Sequence, residues 1–397
     1  MNMLSPVRSV PIGEVATLNP KGPTPGLLEG GRVLDFLPMA DLSEDGTMTV
    51  SAQRPYAEVA KGYTAFRHGD VLLAKITPCF ENNKIGLADV RTEWAFGSTE
   101  FHVIRPGKDV DARYLLHFLR QDTIRGVGEK RMTGSGGQRR VPKSFLEELP
   151  IPLPPLPEQK RIAAILDQAD ALRRLRRRAL DRLNTLGQAI FQEMFGDPVA
   201  NERGFPTLAL DQVASFVSGA TPAKANPAFW GGGIPWVTPK DMKRSVVSSS
   251  EDSISPAALV SSPLKMITAG TPLIVVRGMI LAHTIPMALS GTDCTINQDM
   301  KAIRFGDQIM PEFGLYCLHA QHGSMLQRID TAAHGTRRFD MSRLGETPIL
   351  VAPSDEQARF VAALGCTREL ASHAAQAQGQ ADTLFSSLQH RAFTGQL

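Results

Sequence analysis

Residues 151–166 read IPLPPLPEQKRIAAIL, and residues 349–364 read ILVAPSDEQARFVAAL. Each stretch ends an apolar run with prolines, passes through Glu-Gln, and opens an Ala-rich segment with helical spacing. A junction that recurs at half the chain length marks two copies of one plan. Offset by 198 residues, the copies agree at Gly137/Gly335, Arg139/Arg337, Arg140/Arg338, Ser144/Ser342, Glu148/Glu346 and Pro150/Pro348. They agree again at Ile151/Ile349, Pro155/Pro353, Glu158/Glu356, Gln159/Gln357, Ala164/Ala362 and Leu166/Leu364. Ordinary residue usage would give about two matches in such a window. The register continues through Leu172/Leu370, Ala179/Ala377, Thr185/Thr383, Leu186/Leu384 and Phe195/Phe393.

Upstream of the junctions the agreement is looser. Val15-Ala16 answers Val213-Ala214, and Ser98-Thr-Glu-Phe answers Asn297-Gln-Asp-Met. A framework that is kept while its loops vary suggests two related but different ligands. Residues 1–155 and 199–352 hold short apolar runs, such as DVLLAKI (70–76) and EFHVIR (100–105), separated by Gly and Pro. These predict strands of two similar mixed α/β (α+β) domains, with a short helix over YLLHFLRQDTIRGV (114–127) in the first.

Residues 156–198 and 353–397 change to a helical period. Ile162, Ile165, Leu166, Leu172, Leu183 and Leu186 recur in steps of three and four until Gly196-Asp-Pro198 stops the pattern. The spacing predicts a helix of about 38 residues, on the order of 57 Å long. The second copy begins at Ser354-Asp-Glu-Gln357, which reads as a capping box. Its stripe runs through Phe360, Leu364, Leu370, Leu384 and Leu388, and Gly365 and Gly379 weaken it by about 1 kcal/mol each. Helices with one apolar stripe need a partner, so the two are expected to pair antiparallel, coiled-coil-like, about an internal pseudo-twofold and to hold two globular heads apart.

Composition narrows the classes. At 42% hydrophobic and 21% charged residues, the 397-residue chain is ordinary globular protein with room for several domains. The net charge is only +3, yet RRVPK (139–143) and RRLRRR (173–178) concentrate positive charge locally. Four isolated cysteines, with no CxxC, fit a reducing cytosol. MNMLSPVRSVPIGE has no signal-peptide core, and 271–289 carries Arg277, His283 and two prolines, which argues against a membrane span. A cytoplasmic chain is expected.

The junction, the long helix ending in FQEMFGDP, the shortened echo PSDEQARFVAAL and the upstream GSGGQRR (134–140) and HGTRR (334–338) together resemble the specificity subunit of type I restriction–modification enzymes. The resemblance implies two target-recognition domains, each reading one half of a bipartite double-stranded DNA target, with the helices setting the spacing. It also implies a non-catalytic chain with no cofactor of its own. Two methyltransferase subunits that use S-adenosylmethionine would dock on it, and motor–nuclease subunits that use ATP could join. APSDEQ departs from the family pattern in lacking the doubled Pro-Leu of the first junction.

The residues themselves carry no visible catalytic set. The base-holding Asn/Asp-Pro-Pro-aromatic loop of adenine methyltransferases is absent, Asn226-Pro-Ala-Phe229 lacking the second proline. No GxxxxGK[ST] phosphate loop occurs, and Cys317-x-His319-x-x-His322 lacks a fourth zinc ligand. For DNA contact, Gln138, Arg139, Arg140 and Lys143, with Arg337 and Arg338, follow glycines in polar loops suited to phosphate or guanine. Being alike in both copies, the arginine pairs suit positioning better than base reading. Base readers are expected where the copies differ: Lys75, Thr77, Asn82, Asn83 and Lys84 in the first, and Trp236, Lys240, Arg277, Asn297 and Gln298 in the second. The arginine run on the helix is either a solvated face, with Leu175 inward, or a contact for phosphates or an acidic partner. A coiled-coil scaffold without DNA binding, and an enzyme with unrecognised motifs, stay as alternatives.

Overall fold

The computed structural model describes residues 8–24, 26–28, 30–135, 137–331 and 336–397. The first seven residues, Gly136, and the His334 and Gly335 of the second glycine–arginine segment, on which some expectations rest, lie outside them. The chain divides into two compact units, Met1–Arg178 with Ala375–Leu397, and Ala179–Ala374. Each unit therefore contains one head, the start of one long helix and the end of the other.

In the first head, an antiparallel sheet runs in the order Ala16–Leu18, Phe101–Pro106, Val71–Ala74, Ile85–Leu87. A second sheet orders Ala52–Pro55, Val33–Leu37, Ala95–Gly97 and Thr64–Phe66, with a parallel pair at its centre. The runs that form these strands are buried almost throughout, as in Val71–Ala74, because both faces of the sheet are covered. The expected helix over 114–127 is instead two helices, Ala112–Leu119 and Asp122–Arg131. The break at Arg120–Gln121 lets the Arg120 side chain turn back under the head.

The second head repeats this plan. Its main sheet orders Ala214–Ser218, Met300–Phe305, Pro272–Val275, Met287–Ser290 and Val246–Val247, beside a three-stranded sheet of Asp252–Ile254, Trp230–Val237 and Thr295–Ile296. In both heads the segment before the long helix is a short ribbon: Pro150–Pro152 pairs with Ser9–Pro11, and Pro348–Leu350 with Thr207–Ala209. Prolines fit here because a two-stranded ribbon leaves half its backbone N–H groups unpaired.

The long helices are Leu156–Phe195 and Ser354–Phe393, 40 residues each. Gly196, at φ +75°, ends the first in the left-handed conformation that glycine tolerates best. Within each unit the two helical segments run antiparallel. In the first, Arg161 donates to the Leu397 carbonyl and Arg173 to Asp382; in the second, Phe191 meets Phe360 edge-to-face at 5.5 Å.

The apolar stripe is corrected by the structure. Ile162, Leu166, Phe360 and Leu364 are buried, and Ile165, Leu183 and Leu388 are half-buried. Leu172, Leu186, Leu370 and Leu384 are 39–60% exposed, however, and so is Leu175 at 57%. Inside the RRLRRR run it is Arg173 that faces inward. Its guanidinium lies 4.2 Å over the Phe385 ring and pairs with Asp382 at 2.7 Å and Asp170 at 3.3 Å. An arginine stem and planar head cover aromatic surface while the charge finds carboxylates, which a leucine cannot do.

The capping box does not form either. Gln357 turns its side chain into the head, and the first free helix N–H groups, of Glu356 and Gln357, donate to the Pro353 carbonyl. The glutamine answers what the junction is for. Gln159, fully buried, accepts from Asp111 N–H at 2.8 Å and donates to the carbonyls of Asp109 at 3.0 Å and Pro154 at 2.8 Å. Gln357 makes the same three bonds to Met310 N–H, the Gln308 carbonyl and the Ala352 carbonyl. Each amide is spent wholly on tying the loop before a head helix to the start of a long helix.

The joints share that stitch but differ around it. In the first unit, Asp167 takes Arg113 at 2.6 Å and His117 at 2.8 Å. Burial raises the Asp167 carboxyl, but these two partners outweigh it and leave the group below its usual range. In the second unit the charges are reversed, with Glu312 on the head facing Arg368 on the helix at 3.9 Å. Sizes are exchanged as well. His117 lies against Phe385 in the first unit, whereas Gly187 makes room for Tyr316 in the second, where a Cβ would stand 2.5 Å from the Tyr316 hydroxyl.

Candidate nucleic-acid interface

In the first head, the loop after Val71–Ala74 and the glycine–arginine segment form one edge. Lys75 N–H donates to the Glu100 carbonyl, Val141 N–H to the Lys75 carbonyl, and Thr77 N–H to the Arg139 carbonyl at 3.0 Å. Thr77 Oγ1 donates to the same carbonyl at 3.3 Å. Lys75, Thr77, Gln138, Arg139 and Arg140 are thus brought together by backbone pairing between segments some sixty residues apart in sequence.

The arginines face carboxylates. Arg139 pairs with Glu81 at 2.8 Å, and Arg140 grips Glu100 with Nε at 3.0 Å and Nη2 at 2.8 Å. The fork from Arg140 holds the Glu100 carboxyl below its usual range despite partial burial. Other candidates are also committed. Asn82 donates to Glu44 at 2.9 Å, Lys84 to the Met39 carbonyl at 3.4 Å, and Lys143 pairs with Glu147 at 2.6 Å. Asn83 sits at φ +56° and donates to the Arg120 carbonyl at 3.4 Å.

Arg120 was not singled out from sequence, yet it organises this loop. Its guanidinium donates to the carbonyls of Asn83 at 3.3 Å, Ile85 at 2.7 Å and Glu44 at 3.0 Å. Burial holds its pKa below the ordinary arginine value. Gly46, at φ +82°, lets it pass, since a Cβ there would lie 2.4 Å from an Arg120 nitrogen. No local signal marks an arginine that binds three carbonyls from two distant loops.

In the second head the same edge forms. Arg277 bridges Arg338, Gly278 N–H donates to the Arg337 carbonyl at 3.0 Å, and Val276 and Arg277 N–H donate to the Asp299 carbonyl. Arg277, Arg337, Arg338, Asn297 and Gln298 are therefore neighbours, and Lys240 is exposed on a nearby turn. Two expected readers are withdrawn from the surface. Trp236 is buried, its indole donating to the Ala220 carbonyl at 2.9 Å and standing edge-on to Trp230 at 5.1 Å. Asn297 is buried too, its side chain closing a turn onto Asp299. Gln298 is exposed and accepts from Thr221 Oγ1.

The two edges differ in charge. Arg277 stands 3.9 Å from Asp299, and among the described residues Arg338 has no ion pair. Lys301, which sequence reading passed over, reaches Ser218 Oγ at 2.6 Å and occupies the register position of the buried His102 in the first head. Burial and the nearby Arg338 both lower its pKa. Among the described residues, the second head thus presents Arg338 without an ion pair and Arg277 with a long one, where the first presents close arginine–carboxylate pairs.

The cysteine–histidine segment is structural. His322 Nε2 accepts from Ile285 N–H at 3.0 Å, and burial pushes His319 down to about 4. Burial pushes the Cys294 and Cys317 thiols up to about 12, while Cys366 is exposed. Only a thiolate attacks disulfide reagents. A thiol-labelling assay on the folded chain is therefore expected to modify Cys366 rapidly and leave Cys294 and Cys317 untouched until denaturant is added.

Comparison with known proteins fixes the family. The profile described as type I restriction modification DNA specificity domain matches residues 5–185 and again residues 202–365. The chain belongs to this family. The doubled match follows the internal repeat: the first copy takes in one head and most of its outgoing helix, the second the other head and only the start of its helix. Over 157 residues, the chain is 41% identical to the type I restriction enzyme EcoEI specificity subunit of Escherichia coli, which covers 38% of this chain and 26% of that one. To the EcoR124I/EcoR124II specificity subunit of E. coli it is 30% identical over 254 residues, covering 62% and 60%. These alignments span from a quarter to three-fifths of the curated relatives' own length. Among solved structures, a chain from a type I R-M system, described for its assembly and conformational transition, superposes with a TM-score of 0.60 at 23% identity over 98% of both chains. The type I restriction-modification S subunit from M. genitalium gives 0.56 at 13% identity, over 99% of this chain and 98% of that one. At these identities the likeness concerns the fold. Among the described residues, no helix is long and apolar enough to cross a membrane.

Proposed function

We propose that this chain is the DNA-reading specificity subunit of a type I restriction–modification complex. Each head meets one half of a bipartite target in double-stranded DNA, and the long helices set the separation of the halves. The observation that carries the reading is the edge built twice, in which a loop following a central strand is backbone-paired to an Arg-Arg segment. A scaffold without DNA binding has no use for a cationic edge kept in both copies while its neighbouring side chains change.

Catalysis belongs to other chains in this reading. Two methyltransferase subunits carry S-adenosylmethionine, and ATP-driven motor–nuclease subunits add cleavage where they join. The leucines that the helices leave exposed, Leu172, Leu175 and Leu384 in the first unit and Leu370 in the second, offer each unit a surface for apolar partner helices. The complex works in the cytoplasm, where its DNA lies.

Salt dependence tests the contact. Each phosphate neutralised contributes about 0.9 to the slope of log affinity against log salt. Arg338→Ala is expected to lower that slope by about one such increment, because Arg338 has no ion pair among the described residues. Arg140→Ala should lower it less, because Glu100 already holds that guanidinium. Fluorescence anisotropy of a labelled duplex across a salt series measures both; equal slopes for wild type and Arg338→Ala would count against the second-head edge as a phosphate contact.

A further inference from the structure

The first head contains a cavity of about 450 Å³ between its two sheets, lined by Tyr56, Tyr63, Thr64, Lys75, Phe96 and Thr99 among others. That volume lies within the about 300–1,000 Å³ of small-molecule sites. Two of its lining residues adjoin the candidate DNA edge, since Lys75 and Thr99 flank Glu100, to which Arg140 is forked. Its lining is unlike a packing defect. Aromatic rings of Tyr56, Tyr63 and Phe96 stand beside Thr64 Oγ1, Thr99 Oγ1, Tyr56 Oη and Lys75 Nζ, none of which has a side-chain hydrogen bond among the described residues.

Those groups match the parts of one nucleotide. Aromatic faces accept a stacked base, hydroxyls meet the polar base edge, and an unpaired ammonium meets a phosphate. The second head does not share the cation. Its position equivalent to Lys75, fixed by the same backbone bonds to Asp299 and Phe339, is the buried Val276.

From this arrangement we infer that the first head holds one unstacked nucleotide of its half-site in this cavity, with Lys75 on the phosphate and the tyrosines against the base. The inference rests on the DNA-reading function proposed above. Extrusion would add sequence selectivity to a head whose arginines are already neutralised, because the cost of unpairing depends on the base removed.

The test places 2-aminopurine at each position of the half-sites in duplexes carrying the target, with the full chain and no methyltransferase subunits, so that extrusion by a catalytic partner does not contribute. One position is expected to brighten several-fold on binding. Ala60→Trp, which fills the cavity from an exposed helix end, should abolish the brightening, weaken binding about tenfold and lower the salt slope by no more than the single increment of about 0.9 that the Lys75–phosphate contact supplies. Thr99→Trp fills it from a second exposed lining position and should act alike, so one variant that fails to fold does not decide the matter. Salt-sensitive binding in which no position brightens, or brightening that survives both variants, overturns the cavity's role and leaves DNA reading intact. Absence of salt-sensitive binding by the wild-type chain overturns the DNA-reading function, and this inference with it.

Discussion

Gln159→Leu is expected to destabilise the first unit by about 3–5 kcal/mol, and Gln357→Leu the second by a similar amount. The substitution keeps volume but removes three hydrogen bonds at a site with no solvent access. It strands one N–H and two carbonyls, and a buried polar group left without a partner costs about 1–3 kcal/mol. The full sum over three groups is reached only if none of them finds water, so the lower part of that range, about 3–5 kcal/mol, is the expectation. Urea denaturation measures the loss. Hydrogen exchange locates it: Asp111 N–H should lose protection in Gln159→Leu and Met310 N–H in Gln357→Leu, each without effect on the other joint. A substitution at one junction that loosens neither amide would show that the prolines, and not the glutamine, hold head to helix.

The second large effect is expected from Phe191→Ala. Phe191 is fully buried at the centre of the second unit, with Phe195 at 5.2 Å, Phe360 at 5.5 Å, Phe313 at 5.7 Å and Tyr316 at 6.4 Å. Removing a ring from such a cluster costs about 3–5 kcal/mol, because neighbouring rings cannot collapse into the space. The equivalent position on the other long helix is Gln389, whose amide donates to the His117 carbonyl at 2.8 Å. At this position, therefore, one unit uses aromatic packing and the other a hydrogen bond, although Phe393 also packs on Tyr114 and Phe118 in the first. Gln389→Ala should cost less, about 1–3 kcal/mol, because it leaves the buried His117 carbonyl without its donor. Thermal or urea unfolding of the two variants side by side measures the contrast.

Much of the architecture could be read from residues alone because it is written locally and written twice. The repeat of Pro-x-x-Glu-Gln at half the chain length, the helical period after it and the Gly196 stop are all properties of short windows. What could not be read depends on partners far away in the chain. Leu172 and Leu175 fit a three–four stripe as well as any inward residue does, and only Phe385 and Asp382, on the other long helix, decide that Arg173 faces in. Ser354–Gln357 satisfies the pattern of a capping box, but the carbonyl of Gln308 and the N–H of Met310 compete successfully for the amide.

The candidate interface follows the same rule. Glycine followed by Arg-Arg singled out, in both heads, a segment that the structure pairs to the loop after a central strand. The burial of Trp236 and Asn297, the carboxylates opposite Arg139 and Arg140, and the part played by Arg120 all arise from strand pairing that no short window contains. The differences between the heads at His102 and Lys301, and at Lys75 and Val276, became visible only once the two sheets could be superimposed strand by strand.

Long-read sequencing of adenine methylation, in cells that carry this chain with its methyltransferase subunits, tests most directly whether two heads read two half-sites. The expected result is a single bipartite motif with an unspecified gap, in which exchanging the second head's 277–283 loop alters one half and leaves the other unchanged. A continuous motif, or a loop exchange that alters both halves together, would contradict it.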